Sequence, residues 1–537
     1  MFMKLTLLFH VLFLSLLSNA QTYDYLNPSI DVEHYTFDVT VNDLNNRVDM
    51  IASIQFKVLR QSDKVSFDLV SQKPDGKGMK VSKVTICDLP ASYTHIGNTI
   101  SVAIPQALRA EKKLRVDFEY GGIPADGLII STNKYKRRTF FSDNWPNRAH
   151  NWLVSIDHPS DKASVDFNID APSHYSAISN GIQIEETSLP GNRKLTRYRE
   201  ATALPTKVMV VGLADFSIQH LGEVNCIPVS SWVYAEERGR GTIDYAPATD
   251  ILRYFIKNIG PFGYRKLANV QSKTIFGGME NAGAIFYSEN SITGKANITA
   301  LVAHEVAHQW FGNMATEIHW SHLWLSEGFA TYMSMLYMEH TYGRDTLLSS
   351  LKDDRKKIIA FSKKRFTPVV DTTVSSYMEL LNANSYDKGS WVLHMLRNQL
   401  GDSIFWKSVQ AYYQQYAGKN ASTQDLQKVM EEVYGKKLSD FFQQWLYRPG
   451  QPQLDVSWKY DASAKQVVVS VTQVQDQAFN FPIQFGLIGK NWEQKISEAY
   501  HVTEKKMEFK IAAEMLPTNI IIDPNVNLLF EGRIRKD

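Results

Sequence analysis

At 537 residues the chain is too long for a single hydrophobic core, and length alone divides it into roughly three or four domains. A hydrophobic fraction of 44% with 21% charged residues is a globular composition and excludes bulk disorder. Fifty-eight basic against 56 acidic side chains, a net +2, leave no field that would favour nucleic acid or an anionic lipid surface, and two cysteines exclude both a disulfide scaffold and a thiolate zinc ribbon.

Residues 1–20 read as an export signal. Lys4 precedes a nearly continuous apolar run from Leu5 to Leu17, and Ser18-Asn19-Ala20 offers the small residues a signal peptidase requires. Thirteen residues as helix reach about 20 Å, short of a bilayer core of about 30 Å, so no stable span is expected after cleavage. The mature chain is expected outside the cytoplasm, in a periplasm or secreted. Export would permit a Cys87–Cys226 bridge, although two cysteines on separate predicted strands are more often simply buried.

Three stretches with different grammar follow, expected as an N-terminal β domain over 21–234, a mainly helical domain over 235–449 and a C-terminal β-sandwich over 450–537. In the first, Tyr35, Phe37, Val39 and Val41 alternate with polar residues, and Val48, Met50, Ala52, Ile54, Phe56 and Val58 repeat the pattern. Such period-two runs predict antiparallel strands. Between Pro261 and Pro449 there is one proline, Pro368, and the apolar spacing turns helical, as over Leu325 to Glu339 and Ser390 to Leu400. After Arg448-Pro449-Gly450-Gln451-Pro452, alternation returns through Leu454, Val456 and Trp458 and through Val467, Val469 and Val471.

The middle stretch carries the chemistry. Ala303-His304-Glu305-Val306-Ala307-His308 lies in an apolar run ending at Gly312-Asn313, with Asn297 or Thr299 available to start a helix. On that helix His304 and His308 stand one turn apart on one face and can meet one metal ion. Glu305 is rotated about 100° away, beside the ligands, where a carboxylate can reach a water on the metal. A catalytic zinc takes three protein ligands and keeps one open position. The third candidate is Glu327, eighteen residues beyond His308 on a second predicted helix. His319 and His322 lie between the two helices, and their neighbours Trp320 and Trp324 favour a packed role.

Together these residues resemble peptidase family M1, the gluzincin aminopeptidases, whose signature is HExxH, eighteen residues, then Glu. The family's G-x-M-E-N motif appears as Gly277-Gly278-Met279-Glu280-Asn281, and its tyrosine motif as Tyr386-Asp387-Lys388-Gly389. The Gln309 to Asn313 segment and Trp324 to Ala330 also fit. The resemblance implies a multidomain α+β architecture: an N-terminal antiparallel β domain, a thermolysin-like mainly helical catalytic domain and a C-terminal β-sandwich. It implies one zinc held by His304, His308 and Glu327, Glu305 as general base and Tyr386 as oxyanion donor. It implies substrate binding by Gly277, Gly278, Met279, Glu280 and Asn281, with Glu280 pairing with the free amine of a peptide. The chain ends at Asp537, which on this resemblance corresponds to a short form without the C-terminal helical domain.

One departure concerns the second amine contact, a Gln or Glu that the family draws from its N-terminal domain. A gap-free count places Trp145 there, with Asp143 or Asn144 as substitutes after a small shift. An epoxide hydrolase relative uses an aspartate eight residues before its tyrosine, where this chain has Met378. An endopeptidase is disfavoured by Glu280, which would block the cleft, and a catalytically silent peptide-binding protein is disfavoured by the full set of catalytic side chains.

Overall fold

The computed structural model describes residues 29–490 and 494–537. The expected export signal over residues 1–20 lies outside them. The chain is α+β, with three successive regions of distinct character. The first builds an eight-stranded sheet around the strands Ile30–Thr40 and Val48–Val58. Tyr35, Phe37 and Val39 of one, and Met50, Ala52, Ile54 and Phe56 of the other, are all 3% exposed or less. The alternation marks the buried face because successive side chains of a strand point to opposite sides. One pairing in this sheet is parallel, Ile30–Thr40 against Lys162–Pro172 with Tyr35 beside Val165; the other pairings are antiparallel. Strand alternation does not encode the direction of a neighbour, so this was not legible in the pattern.

The middle region combines helices with a five-stranded sheet, ordered Phe216–Val224, Ile227–Tyr234, Leu267–Ser272, Ala284–Ser288 and Gly278–Met279. Its first two strands fall within the segment expected to belong to the N-terminal domain. The second of them, Ile227–Tyr234, hydrogen-bonds in parallel to Leu267–Ser272, with Val229 beside Leu267, and the first, Phe216–Val224, pairs antiparallel with the second. The helices relevant here are α1 (Arg238–Tyr245), α2 (Ala248–Asn258), α3 (Thr299–Ala307), α4 (Trp324–Tyr342), α5 (Arg344–Ser362) and α6 (Gly389–Leu400). α4 is buried almost all round from Trp324 to Tyr337, as expected of a helix at the centre of a core.

The last region forms sheets of four, two and three strands; the largest carries Gln453–Asp461, Gln466–Gln473, Lys506–Ala512 and Glu531–Lys536. Among the described residues no helix is long and apolar enough to cross a membrane. Cys87 and Cys226 are both free. Each sits in a turn at positive φ, 48° and 63°, rather than inside a strand.

Candidate active site

α3 begins without the predicted cap. Ile298 occupies the N-cap and makes no side-chain bond, while the Thr299 hydroxyl donates back to the Ala296 carbonyl. The start is fixed from a distance instead. The buried Asp244 carboxylate of α1 accepts the backbone N–H groups of Thr293, Gly294, Lys295 and Ala296 at 2.6–3.1 Å. Burying a carboxylate requires such partners, and this one orders the loop that launches the helix.

α3 and α4 then meet. The Ser334 hydroxyl of α4 donates to the Ala300 carbonyl of α3 at 2.7 Å, and Phe329 stacks on Phe311 at 4.4 Å between ring centroids. This contact brings three donors together. The Nε2 atoms of His304 and His308 lie 3.0 Å apart, and Glu327 Oε2 lies 3.4 Å from the first and 3.2 Å from the second. That oxygen is buried and makes no hydrogen bond of its own. A tetrahedral zinc with ligand bonds of about 2.0–2.1 Å would hold its donors about 3.3 Å apart, so the spacing and the donor chemistry fit the metal. On the other ring nitrogen, His308 Nδ1 lies 3.1 Å from the Phe311 carbonyl and 3.0 Å from the Ser326 hydroxyl. The carbonyl can only accept, so Nδ1 carries the hydrogen and Nε2 is left as the ligand atom.

The electrostatics of the folded site also call for a cation. Glu280 and Glu305 form a second buried group with His308. Burial and the neighbouring Glu280 and Glu327 push the Glu305 carboxyl well above its ordinary range. Burial pulls the His308 imidazole down, but Glu327 and Glu280 outweigh it and push it up to about 10. Burial lowers His304. Glu327 is held well below the usual carboxylate range despite burial, because both imidazoles face it. The site, Glu327 above all, thus favours a positive charge at His308, which a divalent ion would replace on binding.

Over this centre runs the edge strand Gly278–Met279, paired antiparallel with Ala284–Ser288 on one side and bordering the cleft on the other. A Cβ on Gly278 would overlap the Glu305 carboxylate, so only glycine permits this approach. The strand is clamped from below by the metal helix and the turn after it. Gln309 Nε2 and Asn313 Nδ2 donate to the Glu280 carbonyl at 2.9 and 2.7 Å, and Gln309 Oε1 accepts from the Gly283 N–H. The Glu280 side chain is 5% exposed, lines the cleft, and its Oε1 has no hydrogen-bond partner. Gly277, Gly278 and Met279 line the cleft. Asn281 does not: the chain turns inward after Glu280, and its side chain is fully buried behind the strand.

Tyr386 stands in a single turn of π-helix, Asn384–Lys388, its ring parallel to that of His304 at 6.0 Å. Burial, with Glu327, Glu280 and Glu305 nearby, pushes the phenol far up, so it remains a neutral donor. Its position relative to Glu327 is set by two glycines. α4 and α6 cross where Gly328 meets Gly389, and a Cβ on Gly389 would stand 3.0 Å from the Gly328 Cα. The neighbouring Lys388 is buried and donates to the Gly450 carbonyl at 2.7 Å. Its ammonium pKa is lowered by that burial to about 7.

The cleft encloses about 740 Å³. Trp145 forms part of its wall, with edge-to-face contacts to Phe276 and Trp320 at 5.8 and 5.6 Å. Neither polar neighbour of Trp145 reaches the cleft. Asp143 pairs with Arg148 at 2.8 Å and accepts from Thr274 and Ile275; Asn144 bonds Met209 and Trp152. The expectation that one of them supplies a second amine contact therefore fails: neither lines the cleft, and both are held by partners in the domain interior. His319 bonds Ser321 and His322 bonds Thr423, outside the metal cluster.

Two sequence profiles match the chain, the peptidase M1 N-terminal domain over residues 31–208 and the peptidase family M1 domain over 252–445. The chain belongs to peptidase family M1. Similar members include Aminopeptidase M1-D of Oryza sativa subsp. japonica, 30% identical over 326 residues, or 58% of this chain and 37% of that protein. Aminopeptidase M1 of Arabidopsis thaliana is 24% identical over 81% of this chain and 50% of its own length. Probable aminopeptidase 2 of Sulfurisphaera tokodaii is 27% identical over 74% of this chain and 50% of its own. The chain spans about half or less of the length of these M1 relatives.

Proposed function

We propose that this M1 protein is a zinc-dependent aminopeptidase that removes single residues from the free N-terminus of peptides. The observation that carries the reading is the convergence of His304, His308 and Glu327 beside two further buried carboxylates, Glu305 and Glu280, in one cleft. The printed names of the relatives, all aminopeptidases, support it.

His304, His308 and Glu327 would hold the zinc, which when bound supplies a Lewis acid and lowers the pKa of a bound water to about 7. Glu305 takes a proton from the attacking water and delivers it to the departing amine. The Tyr386 hydroxyl donates a hydrogen bond to the carbonyl oxygen as it becomes an oxyanion. The free edge of Gly278–Met279 offers backbone groups to an extended peptide, in the manner of an added strand. Glu280 pairs with the substrate ammonium and closes the cleft beyond it, so one residue fits on that side of the scissile bond. Residues 1–20 support an exported enzyme, acting in a periplasm or secreted; cell fractionation with N-terminal sequencing of the mature protein tests this.

The activity is tested with an aminoacyl anilide and its N-acetylated counterpart. Release from the free amine alone, abolished by a chelator and restored by zinc, is the expected result. Comparable cleavage of the blocked substrate would make the protein an endopeptidase.

A further inference from the structure

Beyond the metal centre, the wall of the cleft is built by α5. Ser350, Asp353, Asp354 and Lys357 recur at helical spacing on one face, and all four line the cleft together with Asp387 of the π-turn. The Lys357 ammonium bridges two carboxylates, 2.8 Å from Asp354 Oδ1 and 3.2 Å from Asp387 Oδ1. The partners differ in character. The Asp354 and Asp387 side chains are 6% and 14% exposed, whereas that of Lys357 is 62% exposed and free to swing out. Asp354 Oδ2 is buried without any hydrogen-bond partner. Burial and the neighbouring Asp354 push the Asp387 carboxyl up to about 7 even with Lys357 in place. Asp353 is engaged separately by Lys356 at 2.8 Å.

With Glu280 pairing with the substrate amine, the rest of a peptide lies in the cleft that this wall also lines. Leu301, Met335 and Met338 line the same cleft. Apolar lining beside two carboxylates suits a side chain with a long aliphatic stem and a cationic head.

Resting on the aminopeptidase reading, we infer that Asp354 and Asp387 form a subsite for a lysine or arginine side chain on the leaving-group side of the scissile bond, with Lys357 as its internal stand-in. A substrate cation displaces the Lys357 ammonium, which passes into solvent. Asp354 supplies the buried acceptor that Lys357 leaves unused.

The test uses the full chain and tetrapeptides with an N-terminal alanine, carrying lysine, arginine, norleucine or glutamate at the second or the third position. The expected result is a kcat/KM about fivefold higher for lysine or arginine than for norleucine at one of these positions, falling with added salt. Lys357→Met should enlarge that ratio, since the competing ammonium is gone, and Asp354→Asn should bring it close to one. Equal rates for lysine and norleucine at both positions would overturn the subsite while leaving the aminopeptidase intact. A preference that survives Asp354→Asn and is unmoved by Lys357→Met would likewise overturn it. Failure to cleave any of the peptides would remove the aminopeptidase reading and this subsite with it.

Discussion

The candidate metal centre and the Glu280 end of the cleft, proposed to hold the amine, are assembled by opposite strategies. The centre draws His304, Glu305 and His308 from α3 and its C-cap and Glu327 from the first turn of α4, and a few contacts such as Ser334 to Ala300 and Phe329 on Phe311 fix their relation. The amine end joins an edge strand, a clamp from beneath by Gln309 and Asn313, and a tryptophan contributed from the N-terminal region. Donor geometry that must hold to tenths of an ångström is carried by contiguous helical turns. The Glu280 end is built by surfaces from separate regions, with Trp145 forming part of the wall.

If the two ends are separable in this way, substitutions should divide cleanly between turnover and binding. Glu305→Gln should lower kcat by about 10³-fold with zinc content unchanged, measured by steady-state kinetics and metal analysis. Tyr386→Phe should lower kcat by about 10²-fold with little change in KM, because the hydroxyl is needed only as the oxyanion forms. Glu280→Ala should act on the other side of the division, raising KM by about tenfold for free-amine substrates through loss of a buried charge pair. A purely kcat effect there would merge the two ends and break the comparison. The smallest effect is expected at the helix crossing. Gly389→Ala inserts a methyl group where α4 and α6 touch through backbone, and should cost about 1–3 kcal/mol, read as a lower denaturation midpoint.

The metal donors were legible because helical periodicity is local. His304 and His308 declare themselves by spacing, and Glu327 and Tyr386 by motifs that extend the pattern. The β character of the two ends was equally readable from alternation at Tyr35, Phe37 and Val39, and at Val467, Val469 and Val471. What the sequence concealed is long-range. Nothing near Thr293 announces that Asp244 holds that loop, and the alternation of residues 216–234 does not say which sheet they join. Asp143 and Asn144 looked available for an amine because their partners, Arg148, Met209 and Trp152, become neighbours only in the fold. Asn281 sits inside a contiguous motif, yet a turn after Glu280 sends it away from the cleft.

The bond from Lys388 to the Gly450 carbonyl joins the turn carrying Tyr386 to the point where the last region of the chain begins. The terminal sheets are thereby tied to the turn that holds Tyr386 rather than merely appended. Shearing them off at this junction would strip the buried Lys388 amine of its acceptor and unmoor the scaffold of the phenol.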